Sequence, residues 1–218
     1  ISALLAYWKK KGAVLVWGGV VVYLLYTFLI YSFAVHFNKL FLIYCLILGI
    51  SFYSIVLFFY WKLYGNVLTD NFSNVPRRFV GIYFIILSVM FYFLWLSEII
   101  PATVNKETPK SLQETGLPTN VVHVVDLAVF LPAIFITGIL LYKKKLAGYI
   151  LAPLLLSFFI LMDITIGGLV VLIKHRGLEG DYSLTYIMAA LTLFSIFTLI
   201  WYIRKMNIKP SMDQAVPK

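Results

Sequence analysis

The apolar run 119–142, TNVVHVVDLAVFLPAIFITGILLY, constrains the fold more than any other stretch of the chain. It is long enough to cross a lipid bilayer, and Lys143, Lys144 and Lys145 follow it at once. Five other runs of similar length and composition share the chain. Backbone groups inside lipid must pair within their own segment, so each run is expected to form a helix. The sequence therefore predicts an all-α fold, a polytopic transmembrane helical bundle with six spans.

The predicted spans cover about residues 12–35, 40–61, 79–100, 119–142, 146–173 and 182–203. We expect them to form a single integral membrane domain over residues 1–218, ending in a polar tail at 204–218. Residues 1–8 are apolar and run directly into Lys9, Lys10 and Lys11. This pattern predicts the end of an additional helix that precedes the first span.

Composition supports a membrane protein and argues against a nucleic-acid partner. The chain is 62% hydrophobic and 12% charged, about half the charged fraction usual in soluble domains. Its net charge of +9 comes from Lys and Arg at the ends of apolar runs, where topology explains them. The single cysteine, Cys45, excludes a disulfide within the chain and a cysteine-based metal site. The expected partner is the lipid bilayer, and the sequence leaves open whether the chain forms an oligomer.

The basic residues also predict an orientation. One side of the membrane holds most of them, at positions 9–11, 62, 77–78, 143–145, 204–205 and 209. The more basic side is expected to be cytoplasmic. The predicted location is thus the cell membrane, with both ends of the sequence and the tail 204–218 in the cytoplasm.

Three segments carry a resemblance to a known group of proteins. They are YLLYTFLIYSFAVHFNKLFLIY, RRFVGIYFIILSVMFYFLWLSEIIPA and GLPTNVVHVVDLAVFLPAIFITGILLYKKKLAGYILAPLLL. They resemble a family of uncharacterised multi-pass membrane proteins of bacteria. The resemblance covers most of residues 22–156 and implies helices that precede this region. It implies the topology and no particular activity.

Three acidic residues lie inside apolar runs: Glu98, Asp126 and Asp163. A charged group within a span costs on the order of 3 kcal/mol, so it normally faces protein and has a partner. Each acid falls on a polar stripe with helical spacing. The stripes are Ser88, Tyr92, Trp95 and Glu98; His123, Asp126, Phe130, Ala133 and Thr137; and Pro153, Ser157, Ile160, Asp163 and Gly167.

We interpret Glu98, His123, Asp126 and Asp163 as a substrate-binding set in an outward-facing polar cavity. The corresponding function is binding or transport of a small solute or ion. A purely structural reading stays open, in which water solvates Glu98 and Asp126 and Asp163 hydrogen-bonds a neighbouring helix.

Two further functions stay open. In a membrane-embedded metal-dependent enzyme, His123 and Asp126 would point at one ion, completed by Glu98 or His36. A non-catalytic assembly subunit would need no site at all. No catalytic residue or cofactor can be assigned, because the chain contains no nucleophile triad order, phosphate loop or His-Glu-x-x-His motif.

Overall fold

A computed structural model describes residues 12–64, 72, 74–177 and 181–206. Within these ranges the chain is helical and contains no strand. In chain order the helices are α1 (Ala13–Ala34), α2 (Phe41–Tyr64), α3 (Arg77–Asn105), α4 (Lys110–Thr115), α5 (Val121–Tyr142), α6 (Leu146–His175) and α7 (Tyr182–Lys205). All but α4 are long and apolar enough to cross a membrane. The predicted all-α class is confirmed, and the chain is a multi-pass membrane protein.

Two features of the connection after the third span differ from the prediction. Helix α3 does not stop before Pro101 but continues to Asn105. A proline removes one backbone donor, and membrane helices tolerate this where other groups pair the freed carbonyl. The connection then contains the short helix α4, which ends at Gly116 with φ 65°. The expected single integral domain over the whole sequence stays a prediction.

Short polar side chains determine where three helices begin. Asn38 Oδ1 accepts a hydrogen bond from the backbone N–H of Leu40 just before α2. Asn120 caps α5, and Asp181 caps α7. These residues offer an oxygen to the N–H groups that the first turn of a helix leaves unpaired. The local sequence therefore fixes the start of each of these spans within a residue or two.

The chain divides into two compact units. The first unit comprises Ile1–Leu25, Gly49–Pro76 and Pro153–Lys218, and the second comprises Tyr26–Leu48 and Arg77–Ala152. The first unit contains most of α6 and all of α7. The second contains all of α3, α4 and α5.

Close packing in the first unit depends on a small residue of α1. A Cβ atom at Gly19 would lie 2.5 Å from the carbonyl oxygen of Leu154 and 2.5 Å from Cβ of Ser157. Backbones approach this closely only when one helix offers a glycine, as is common between membrane helices. The aromatic ring of Trp17 also packs near that of Phe58, at a centroid distance of 6.4 Å.

In the second unit, α3 and α5 run antiparallel and are in contact through glycines. A Cβ atom at Gly138 would lie 2.7 Å from the carbonyl oxygen of Gly81, and one at Gly81 would lie 3.0 Å from that of Gly138. About two turns earlier in α5, the carbonyl of Leu131 accepts a hydrogen bond of 2.9 Å from the buried hydroxyl of Ser88. This contact fixes the register in which polar side chains of the two helices meet.

Candidate functional site

The carboxylate of Asp126 is the centre of a hydrogen-bonded cluster in the second unit. The hydroxyl of Tyr26 donates to Oδ1 at 2.9 Å. The indole Nε1–H of Trp95 donates to Oδ2 at 2.9 Å. Both donors are neutral, so each oxygen of the carboxylate is hydrogen-bonded while its charge is not neutralised.

A break in the regular winding of α5 lies at Asp126. Residues Asp126–Phe130 form one π-helical turn, in which the N–H of Leu131 bonds to the carbonyl of Asp126. In that register the next donor would come from residue 132 to the carbonyl of Leu127, but Pro132 has no N–H. The hydroxyl of Tyr92 bonds this carbonyl instead, at a rather long 3.3 Å. The residue that would supply the next donor after the π turn is thus a proline, and Tyr92 takes the place of the missing N–H.

His123 is held from two sides and is only 7% exposed. Its ring lies against the indole of Trp95, with the centroids 4.6 Å apart. Asn120, which caps α5 through the N–H groups of Val122 and His123, also places its amide nitrogen 3.5 Å from Nε2 of His123. The imidazole is therefore packed in a fixed position beside the indole that bonds Asp126.

Glu98 lies at the more exposed end of the cluster. Its Oε2 is 3.9 Å from Nε2 of His123. Its Oε1 accepts a hydrogen bond of 3.1 Å from the backbone N–H of Ser111 in α4. Glu98 thus connects α3 to α4 while keeping one oxygen near the imidazole.

The predicted polar stripe on α3 lies against α5 and meets the predicted α5 stripe at Asp126 and His123, whereas Leu127 and Leu131 contribute backbone carbonyls. The stripe on α3 contacts α5 at four successive positions: Ser88 at Leu131, Tyr92 at Leu127, Trp95 at Asp126 and Glu98 at His123. The structure therefore brings Glu98, His123 and Asp126 together. Their role in binding a substrate stays a prediction.

Asp163 belongs to the first unit, on α6, and is 8% exposed. The structural reading expected it to hydrogen-bond a neighbouring helix. Among the described residues, no side chain or backbone group forms a hydrogen bond or ion pair with its carboxylate. The hydrogen bond that the structural interpretation expected for Asp163 is therefore not found in the described part of the chain.

The alternative of a metal centre finds no ligand set in the ranges that the structure describes. No three His, Cys, Asp or Glu side chains there are grouped so that they could share an ion. His36, which the metal hypothesis offered as a further ligand, is exposed in the connection between α1 and α2. His175, the last residue of α6, is also exposed.

Three residues of the cluster were not predicted from the sequence: Tyr26, Asn120 and Ser111. Tyr26 is a hundred positions away from Asp126 along the chain, and in its apolar run the one hydroxyl-bearing neighbour three or four residues away is another tyrosine, Tyr23. Asn120 had a usable signal, because an asparagine directly before an apolar run is a typical helix cap. Ser111 contributes its backbone, which carries no signal in the side-chain pattern.

Comparisons with protein-family models, curated proteins and solved structures find no match for this chain.

Proposed function

We propose that the protein binds a small cationic solute or ion, the proton included, and moves it across the cell membrane. Asp126 provides a binding carboxylate in the second unit, and Asp163 provides another in the first. His123 takes up a proton or orients the species bound at Asp126, and Glu98 attracts that species at the more exposed end of the cluster. In this proposal the cluster opens toward the outer side and the basic ends of the helices face the cytoplasm, in line with the distribution of Lys and Arg.

The observation that carries this proposal is a charge that the protein leaves uncompensated. Among the described residues, no Lys or Arg forms an ion pair with Asp126 or Asp163, although both lie in membrane-spanning helices. A carboxylate in hydrocarbon is stable only when it is paired, solvated or protonated. A cation or proton from solution supplies the missing charge, whereas an anionic solute would add to the cost.

The surroundings of Asp126 support a site rather than a purely structural contact. The Tyr26 hydroxyl and the Trp95 indole fix the carboxylate through its two oxygens, yet an ionised carboxylate has further lone pairs for a ligand. Aromatic rings line the same position, since Phe130 lies edge-on to Tyr26 at a centroid distance of 4.7 Å. The face of an aromatic ring attracts cations.

His123 gives the cluster a group that can exchange protons. Imidazole is the side chain that changes charge most readily in the physiological pH range. Its Nε2 lies 3.9 Å from Glu98, and its ring packs at a tilt against the indole that donates to Asp126. A proton on His123 would therefore alter the field at both acids, which is the property that coupled transport needs.

Flux measurements on vesicles containing the purified protein test the proposal. Sodium, potassium and protons serve as probes, the last followed by a pH-sensitive dye inside the vesicles. We expect the parent protein to carry at least one of them. Asp126→Asn and Asp163→Asn should each lower that flux by about tenfold or more, because an amide keeps the shape of the carboxyl group and removes its charge.

Asp181→Asn is the matched control. Asp181 is exposed before α7, and asparagine caps a helix about as well as aspartate. Its flux should equal that of the parent protein. No flux of any probe by the parent protein would overturn the proposal and favour an assembly subunit. Equal flux in all three variants would remove the two acids from the mechanism.

A further inference from the structure

Basic residues are concentrated at one end of the second unit, where α3 begins and α5 ends. We call this group the basic end; it consists of Arg77, Arg78, Lys143, Lys144 and Lys145. Arg77 holds the two helices together there, since its Nη1 donates to the carbonyl oxygens of Tyr142 at 3.2 Å and Leu141 at 3.4 Å. The side chains of Arg78 and the three lysines are exposed.

The three lysines form a closed turn rather than a loose loop. The N–H of Lys145 bonds to the carbonyl of Leu140 at 2.9 Å, and that of Lys144 to Leu141 at 3.2 Å. This pair of bonds is the Schellman motif that ends many helices. Helix α6 follows directly at Leu146. The turn therefore presents its lysine side chains from a fixed backbone.

Lys144 occupies the position of this motif at which glycine is usual. Its φ is 56°, in the left-handed region that an L side chain adopts only with strain. Favourable charge at the end of α5 does not require a lysine here, because Lys143 and Lys145 flank it. A strained residue whose side chain is exposed and charged points to a role for that side chain outside the fold.

No acidic group offsets the charge of the basic end among the described residues. Both α3 and α6 begin without an acidic residue in the first turn. The start of a helix carries unpaired N–H groups and a partial positive charge, so these two starts add to the positive field. No described side chain forms an ion pair with the arginines or lysines of this group.

We infer that the basic end binds the phosphate headgroup of an anionic phospholipid. It lies at the ends of three helices that can span a membrane, which is where lipid headgroups are found. Its charge complements a phosphate, and the bonds from Arg77 and within the lysine turn fix the backbone that carries these side chains. This inference does not depend on the proposed transport.

Lipid titration of the purified protein in neutral detergent tests the inference, with bound lipid counted by native mass spectrometry. Phosphatidylglycerol is compared with phosphatidylcholine of the same acyl chains. We expect tighter binding of the anionic lipid. Lys144→Gly should weaken it about fivefold, since one basic residue contributes about 1 kcal/mol near an anionic headgroup and 1.4 kcal/mol is a factor of ten.

Lys106→Gly is the matched control. Lys106 also ends a helix in the left-handed region, with φ 57° and the same pair of closing bonds, but it stands alone beside Glu107. Both glycine variants relieve the backbone strain and should unfold at the same or a higher temperature. Only Lys144→Gly should lose lipid affinity, and the triple variant Lys143→Gln, Lys144→Gln, Lys145→Gln should lose more than about tenfold.

Three results would overturn the inference. The first is equal affinity of the parent protein for the two lipids. The second is an equal change in Lys144→Gly and Lys106→Gly. The third is displacement of the lipid by an equal concentration of inorganic phosphate, which would show that the group binds a free anion. Arg78→Gln provides a second reading if the triple variant fails to fold, and unchanged lipid binding in it and in Lys144→Gly counts against the site.

Discussion

The indole nitrogen of Trp95 and the carboxylate of Asp126 form a hydrogen bond of 2.9 Å that joins α3 to α5. The same carboxylate accepts a bond of 2.9 Å from Tyr26 on α1. Within the second unit, one acidic side chain therefore connects α3, α5 and the part of α1 that begins at Tyr26. In a medium without water, the stability of this unit and the position of its acid should depend on the same two donors.

Removing either donor should destabilise the protein. We expect Trp95→Phe and Tyr26→Phe each to lower the free energy of unfolding by about 1–2 kcal/mol, the range for interhelical bonds in membranes and bonds to charged groups. The double variant should lose more than the sum, because the carboxylate is then left without both donors. Equilibrium unfolding in mixed micelles measures these changes. Trp61→Phe, on the exposed face of α2, should stay within about 0.5 kcal/mol of the parent protein.

The contact between Gly81 and Gly138 makes a second prediction. A methyl group at residue 138 would lie 2.7 Å from a backbone carbonyl, which cannot move aside as a flexible side chain can. Gly138→Ala should therefore cost about 1–3 kcal/mol of unfolding free energy in the same assay. Gly49→Ala is the control, since no atom lies within 4 Å of its added carbon. It should be neutral or stabilising by up to about 1 kcal/mol through helix propensity. Similar losses in both variants would refute the close approach.

The π turn predicts an energetic coupling between Tyr92 and Pro132. In the parent protein, Tyr92→Phe leaves the carbonyl of Leu127 unpaired and should cost about 0.5–1 kcal/mol, because the bond is long. Pro132→Ala restores a backbone N–H that can bond within the helix. In that background the cost of Tyr92→Phe should fall toward zero. A double-mutant cycle measures the difference, and strictly additive effects would mean that the tyrosine does not replace the missing donor.

The cap of α7 should depend on pH. Hydrogen bonds from the hydroxyl and then the backbone N–H of Ser183 lower the pKa of Asp181 below its ordinary value. A carboxyl group with a lowered folded-state pKa contributes stability above its unfolded pKa and loses it as the pH falls through the folded value. Amide hydrogen exchange in the first turn of α7, corrected for the intrinsic rate, should therefore quicken in acid. Asp181→Asn should remove this dependence, and an unchanged acid response in that variant would assign it to another group.

The sequence predicted the spans well because their signal is local. An apolar run of about twenty residues leaves the backbone no alternative to a helix in lipid. Polar periodicity also indicated which residues of α3 and α5 share a face, and those faces meet at Trp95 and Asp126. Helix α3 extends past Pro101 because a proline near a helix end removes a single bond and need not stop the helix.

The rest of the cluster required information that periodicity does not contain. Tyr26 reaches Asp126 only because two helices distant in sequence pack together, and nothing within α1 distinguishes it from the other tyrosines of that helix. The π turn at Asp126 depends on the balance between a missing donor at Pro132 and the packing of α5. The membership of Asp163 in the first unit likewise depends on tertiary contacts.

The length of α6 has an electrical consequence. Its 30 residues extend about 45 Å, half as long again as the hydrocarbon layer. Asp163 lies within about 4 Å of the middle of this helix, and so near the midplane if the ends of α6 project equally. A cation that reaches Asp163 from either face would then cross about half of the transmembrane voltage. The binding free energy of this cation should shift by about 1 kcal/mol for every 100 mV. The membrane potential would therefore change the fraction of Asp163 carboxylates that hold a cation.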